Sequence, residues 1–320
     1  MAQHFLLSTK ARTLSLAQVL RLTDEEAYGT LKAIRFAQND GKPFCPKCGC
    51  VTVYEFASRR IFKCKECQGQ FSLTSGTIFA SRKLAIRDIL AAIAIFVNGA
   101  KGVSALQLSR DLNVQYKTAF VLAHKLREVL SVEQSKAQHL SGEVEIDGAY
   151  FGGYIKPANY KEVRVDRRFL RNQNGKRECV VAMRERDGMT KTVISSEHNA
   201  VPVVCSTVVA GSTIYADEGS SWDLLHQNYT TKRINHSECY SDGEACTNMA
   251  ESFFSRMRRA EIGTHHSLAG PYLSAYADEM AWRENQRRNS NGAQYMMLAS
   301  AAAHHPVSRK WKGYWQRRAA

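Results

Sequence analysis

The chain has 320 residues, 44% hydrophobic and 23% charged, with a net charge of +14 and an isoelectric point near 9.4. This length can bury a sizeable core, in two or three domains, and the composition is that of an ordinary soluble globular protein. No apolar run reaches the roughly 18 residues of a membrane span and the amino terminus carries no signal-peptide pattern, so a cytoplasmic protein is expected; the surplus of positive charge points to a polyanionic partner, most commonly nucleic acid.

Residues 1–40 read as a helical segment. Ser15 to Leu20 and Asp24 to Tyr28 carry apolar positions at helical spacing, and Thr23 is placed to cap the second stretch. Asn39 to Pro43 is a turn-rich break. Residues 41–80 follow as short strands bearing two close cysteine pairs, Cys45-Pro46-Lys47-Cys48 and Cys64-Lys65-Glu66-Cys67, about 15 residues apart. That spacing is a zinc ribbon, in which four thiolates close a tetrahedron around a structural Zn2+ and leave no open position for catalysis. Cys50 competes with Cys48 as a ligand. Phe44, Tyr54, Phe56, Phe62 and Phe71 are expected to pack the module, and Lys47, Arg59, Arg60, Lys63 and Lys65 suit it to DNA contact. The remaining cysteines are scattered and read as buried thiols.

Residues 81–135 return to a helical pattern. One helix is expected over Ile86 to Val97, then a break at Asn98 to Gly102, a short helix from Ser104 to Leu112, and another from Tyr116 to Arg127. Two helices joined by a short turn, with Lys117 near the start of the second, resemble a DNA-binding helix-turn-helix; the competing reading is a plain helical hairpin between domains.

Beyond residue 140 the pattern alternates. Strands are expected at Glu143–Ile146, Glu178–Met183, Thr190–Ile194 and Thr213–Ala216, with helices at Val201–Val209, Ala250–Arg259 and Tyr272–Arg288, which together make a mixed α/β domain. Asp147 and Asp217 each follow an apolar strand, and Glu251 sits early in a helix. Any one of these acids alone is an ordinary turn or cap residue. If they converge, their repulsion is relieved by divalent cations, and two Mg2+ ions so held can clamp the attacking and leaving oxygens of a phosphodiester displacement.

The segment Glu145-Ile146-Asp147-Gly148-Ala149-Tyr150-Phe151-Gly152-Gly153, the segment Tyr215-Ala216-Asp217, and Asn248-Met249-Ala250-Glu251-Ser252-Phe253-Phe254-Ser255 with Arg258-Arg259 together resemble the DDE transposases of bacterial insertion sequences. The likeness is to the subgroup with an amino-terminal zinc ribbon, and it extends through Gly263 to His266, Tyr272, Tyr276, Glu279, Trp282, Arg283 and Asn285. The resemblance implies an RNase H-like catalytic domain over residues 140–295, with a basic carboxy-terminal tail at 296–320. It places the first Asp on the first strand, the second on the fourth, and the third acid on a following helix, hence Asp147, Asp217 and Glu251 as catalytic ligands of Mg2+ (or Mn2+). Asn248, one turn before Glu251, is the alternative third member.

Arg258 and Arg259 are then candidate DNA contacts, as are Arg167 and Arg168 in a basic stretch that interleaves Lys156, Lys161, Arg164, Arg171, Lys176 and Arg177 with Tyr154 and Tyr160. His265 and His266 fit either DNA contact or polar surface, and Glu279, Trp282 and Arg283 fit helix packing with a buried ion pair. The implied function is cleavage of element ends and joining of the freed 3′ hydroxyl to target double-stranded DNA, by a nucleoid-associated homo-oligomer. The competing readings are a non-catalytic ribbon and helix-turn-helix DNA-binding regulator, and a nuclease of the same fold.

Overall fold

The computed structural model describes residues 5–152, 160–163, 177–234 and 246–318. They form two compact units, one of residues 1–133 with 287–320 and one of residues 134–286.

In the first unit, α1 (Leu16–Leu20) precedes α2 (Asp24–Arg35). A reciprocal capping box starts α2: the Glu26 amide donates to Thr23 Oγ1 at 3.2 Å, and the Thr23 amide donates to Glu26 Oε2 at 2.7 Å. Ala27, Leu31 and Ile34 give α2 its buried stripe. The ribbon follows as an antiparallel sheet of β1 (Val53–Phe56), β2 (Ile61–Cys64) and β3 (Gln70–Phe71). Its aromatic core differs from expectation. Tyr54 is 55% exposed, and Phe36, just past α2, stacks edge-on against Phe44 and Phe62 at 5.3 and 6.2 Å. So small a sheet borrows apolar surface from the preceding helix.

α3 (Ile86–Asn98) is buried nearly all round, which explains its continuous apolar run. α4 (Ala105–Asp111) is capped by Ser104, which accepts from the Gln107 amide at 3.1 Å. Asn113 turns the chain in the left-handed region (φ 49°), a conformation Asn tolerates, before α5 (Tyr116–Lys136).

The second unit is built on β4 (Glu143–Phe151), β5 (Glu178–Glu185), β6 (Thr190–Ile194), β7 (Thr213–Asp217) and β8 (Thr230–Ile234), in the order β6-β5-β4-β7-β8. The first three strands run antiparallel, and β4, β7 and β8 run parallel. Alternation along β4 sorts two cores. Val144 and Ile146 pack with Ile214, Ala216 and Trp222 against α6 (Glu197–Thr207). Ala149 and Phe151 pack against α7 (Asn248–Ala260) and α8 (Leu273–Asn285) through Phe253, Phe254, Met257 and Met280. This mixed sheet flanked by helices is the fold class expected from the sequence.

Several boundaries differ from the sequence reading, among them α5, which runs past the expected Arg127 to Lys136. β4 continues five residues past Ile146, because Asp147 to Phe151 keep pairing with β5 after β7 has left. α6 begins at Glu197 because Ser196 caps it; Val208 and Val209 are then free to pair with Leu140. The division expected at residues 295 and 296 falls inside α9 (Asn291–His304), which with α10 (Tyr314–Arg318) belongs to the first unit. Asn291 ties α9 there: its side chain accepts from the Thr13 and Leu14 amides at 2.8 and 2.9 Å and donates to Asn98 Oδ1 at 2.8 Å.

Buried charges in the second unit are paired. Glu279 holds Arg283 at 2.8 Å within α8, and Glu284 bridges Arg184 on β5 (2.9 Å) and Arg256 on α7 (3.0 Å). Removing Glu284 takes the carboxylate partner from both guanidinium groups. Glu284→Ala is expected to cost about 3–5 kcal/mol in denaturant unfolding. Asp223→Ala, which breaks the exposed pair with Arg233, is expected to cost under about 1 kcal/mol in the same assay.

Candidate active site and metal centres

In the ribbon, the sulfurs of Cys45, Cys48, Cys64 and Cys67 all lie within 4.8 Å of one another. The Cys45–Cys67 and Cys48–Cys64 separations are both 3.6 Å, close to the roughly 3.8 Å edge of a tetrahedron with Zn–S bonds of about 2.3 Å. Burial opposes ionisation of Cys64. The amides of Cys67 and Glu66 and the Cys48 thiol outweigh it and hold the group at about 6. Cys50 stands apart, its thiol donating to the Thr52 carbonyl at 3.5 Å. The donor set fits structural Zn2+, with Cys48 and not Cys50 in the cluster.

In the second unit, β4 and β7 run in parallel register up to Ile146 beside Ala216. The next residues, Asp147 and Asp217, therefore stand side by side where the two strands part, on the face opposite Ile146 and Ala216. The carboxyl ends of parallel strands are where open α/β sheets bind ligands. Asp147 Oδ1 accepts from the Gly148 amide at 2.8 Å, and Asp217 Oδ1 accepts from the Gly219 amide at 3.1 Å.

Glu251 lies in the first turn of α7 and is exposed. It shares with Asp147 a cavity of about 440 Å³, whose lining also includes Arg258 and Arg259. Arg258 is two turns beyond Glu251 on the same helix face. Asn248 is exposed and is not among the residues lining this cavity.

A fourth carboxylate joins these three. Glu197, the first residue of α6, approaches from the opposite face of the sheet. A Cβ built on Gly148 would lie 2.4 Å from Glu197 Oε1, so no larger residue fits beside Asp147 without moving that carboxylate. The sequence reading missed Glu197: it carries no motif, and its place depends on how α6 crosses the sheet. The glycine after Asp147 was the one local trace of it.

Burial, and then the charges of Asp217, Glu197 and Glu251, push Asp147 up to about 6; the Gly148 amide opposes this. Glu197 is raised by burial and by Asp217. Among the described residues only the four thiols draw three or more ligand atoms within 4.8 Å of one another, so the carboxylates converge without closing to that distance. Hard, mutually repelling oxygens, two of them (Asp147 and Glu251) on a shared cavity and two more (Asp217 and Glu197) close to Asp147, fit divalent Mg2+ or Mn2+ and suit neither a soft ion nor a neutral cofactor.

Lys117 is exposed at the start of α5, with its ammonium 5.3 Å from the centroid of the Trp315 ring. Arg167 and Arg168 lie outside the described residues, as do the other cations of that stretch apart from Lys161 and Arg177. Arg177 packs over the Tyr150 ring at 5.5 Å. His265 packs against Tyr276 at 4.7 Å between ring centroids.

Residues 139–285 match the ISXO2-like transposase domain, and residues 22–70 match the transposase zinc-ribbon domain. The chain is similar to an uncharacterized protein in transposable element ISH50 of Halobacterium salinarum, 24% identical over 250 residues, which cover 73% of this chain and 83% of that one. That relative is archaeal, so the likeness is not confined to bacterial elements. Among solved structures, the crystal structure of the Mos1 strand transfer complex holds a similar chain, 12% identical with a TM-score of 0.27, over 67% of this chain and 78% of that one. Among the described residues no helix is long and apolar enough to cross a membrane.

Two outcomes are expected. Asp147 is protonated more readily folded than unfolded, so in zinc-loaded protein without Mg2+ or Mn2+ its stabilising contribution is present at low pH and lost as pH rises from 3.8 through about 6. Calorimetry should show the parent, zinc-loaded and without Mg2+ or Mn2+, losing melting temperature between about pH 4 and 6, and Asp147→Asn losing less. Mn2+ above pH 6 should restore the parent and not the variant. Separately, Cys64→Ser or zinc chelation should release the metal, unfold the ribbon and weaken DNA binding at least tenfold, as read by zinc analysis and fluorescence anisotropy.

Proposed function

We propose, from the premise that the chain belongs to the zinc-ribbon-bearing, ISXO2-like DDE transposases, that it cleaves the ends of its own element and joins the freed 3′ hydroxyl to target DNA. The observation that carries this reading is the register that sets Asp217 beside Asp147 where β4 and β7 part, with Glu251, Arg258 and Arg259 on the cavity that Asp147 lines.

Asp147, Asp217 and Glu251 would hold Mg2+ or Mn2+. Bound there, the metal supplies the positive charge that activates the attacking oxygen and stabilises the leaving one. The chain's own groups do the rest. The Gly148 and Gly219 amides point one oxygen of each Asp and leave the other for ligation. Arg258 and Arg259 face the same cavity and suit bidentate capture of a phosphate beside the scissile bond. Glu251 is favoured over Asn248 as the third ligand, because it lines the cavity and a carboxylate is the stronger ligand for a hard cation.

The +14 charge supports a DNA partner. The ribbon's basic residues and Lys117 are the proposed recognition elements, with Arg167 and Arg168 as further backbone contacts. Pairing two DNA ends calls for a homo-oligomer. A regulator that only binds DNA has no use for Asp147 and Glu251 on one cavity with Asp217 and Glu197 close to Asp147, and the repulsion felt by the buried Asp147 would only weaken its fold.

The test is Mg2+-dependent joining of a pre-cut element end to a plasmid. Asp147→Asn, Asp217→Asn and Glu251→Gln are each expected to lose at least about 10²–10³-fold in joining rate while still binding DNA. Asn248→Ala should stay within about threefold of the parent, a loss of less than 1 kcal/mol in the barrier. Parental joining by either Asp variant would overturn the site. Cleavage without joining would reassign the chain as a nuclease.

A further inference from the structure

Glu145 lies two residues before Asp147 on β4, so both side chains leave the same face of the sheet. It is wholly buried, at 0% exposure. A carboxylate survives there only if its oxygens are filled, and they are. Oε2 accepts from the Met249 amide at 2.8 Å and the Ala250 amide at 3.1 Å, the first turn of α7. Oε1 accepts from Arg186 Nε at 3.2 Å. The N-cap residue of α7, Thr247, makes no side-chain capping bond. The helix is thus capped from a strand about a hundred residues away in the chain, by a full negative charge on its positive end.

Arg186 extends the link to the third element. Its guanidinium lies 3.7 Å from the centroid of the Tyr215 ring, and Tyr215 is two residues before Asp217 on β7. The Tyr215 hydroxyl donates to Glu143 Oε1 at 2.7 Å, and Arg186 Nη1 reaches Glu143 Oε2 at 3.4 Å. All three ligand carriers are therefore gripped two residues upstream of their acid: at Glu145 for Asp147, at Tyr215 for Asp217, and at the Met249 amide for Glu251.

We infer that Glu145 and Arg186 are positioning residues, a clamp that fixes the separation of the three carboxylates before any cation binds. The inference rests on the proposed roles of Asp147, Asp217 and Glu251. Packing alone would need only an apolar residue at position 145. What the clamp adds is direction, since hydrogen bonds to two consecutive amides fix both the start and the rotation of α7. Like the partners that orient ligands in known metal sites, it is expected to act on metal affinity.

The test uses the full zinc-loaded chain with Glu145→Gln and Arg186→Lys. Glu145→Gln keeps the shape but sets an amide group against Arg186. Arg186→Lys keeps the charge but loses the planar fork, and it serves if the first variant fails to fold. Three readouts are taken: amide hydrogen exchange at Met249 and Ala250, Mn2+ affinity by calorimetry without DNA, and the Mg2+ concentration that half-saturates joining. Exchange is expected at least about tenfold faster, and Mn2+ binding and the Mg2+ requirement about 10–100-fold weaker. DNA affinity should be unchanged, and excess Mg2+ should recover part of the joining rate.

Parental exchange together with parental Mn2+ affinity in a folded variant overturns the inference. So does faster exchange with parental Mn2+ affinity, which would make the pair a helix cap and nothing more. A parental Mn2+ affinity in Asp147→Asn would instead sink the underlying site, whatever the amides do.

Discussion

Like charges held close in a half-buried place are the constraint around which the second unit is organised. Asp217, Glu197 and Glu251 all act on Asp147, and burial first, with their repulsion added to it, lifts that carboxyl up to about 6. Something must oppose that repulsion, and the fold does so from both sides. On one face Val144, Ile146, Ile214 and Ala216 bury themselves against α6; on the other, Ala149 and Phe151 bury themselves against α7. Each acid sits next to residues locked into one of these cores. None can swing far from the others without exposing apolar surface, at roughly 25 cal/mol per Å².

The contrast with the other buried charges of the same unit shows that the convergence is selective. Glu279 has Arg283, Glu284 has Arg184 and Arg256, and Glu145 has Arg186 with two helix amides. Each of those acids is neutralised where it lies. The cations near Asp147 and Glu251 instead face the shared cavity, as Arg258 and Arg259 do. Asp147 and Glu251 line the cavity that these two arginines also line, the arrangement on which the proposed reading rests. The proposed divalent ions and the scissile phosphate fit those two features, the ions the acids and the phosphate the arginines.

What was legible in the chain follows from how local each signal is. The ribbon's four thiols could be read because each knuckle is set by two residues between cysteines. Asp147 and Asp217 could be read because strand alternation and the following glycine or turn are also local. Glu197 and Glu145 could not. Glu197 reaches Asp147 only because α6 crosses the sheet, and Glu145 looks like the polar half of an alternating strand although it is fully buried. The same limit applies to residues 296–320, expected as a basic tail. Their small, apolar positions look like a tail until Ala299, Ala302 and Ala303 are seen buried in the first unit. Tyr54 and Phe36 exchanged roles for the same reason: aromatic content near the cysteines was visible, but which ring turned inward depended on a helix outside the motif.

The ribbon's metal site and the proposed cation site also divide along physical lines. Thiolates are soft and close-packed, and the ribbon's sulfurs reach 3.6 Å separations through tight local turns. Such a site can be completed by one short segment, and its metal serves that segment's fold. Carboxylates for a hard, hydrated cation must keep room for waters and substrate oxygens, so they have to come from elements far apart in sequence and be stopped short of closing. A sheet whose order places β4 and β7 side by side can do this with few loops: two acids stand where those strands part and the third comes from a helix laid across one face. The remaining freedom is the rotation and slide of that helix, which cores of Phe and Met fix only loosely because apolar contacts carry no direction. A directional restraint on the start of α7 is therefore the piece the architecture still requires, and a buried carboxylate reaching two consecutive amides is a minimal way to supply it.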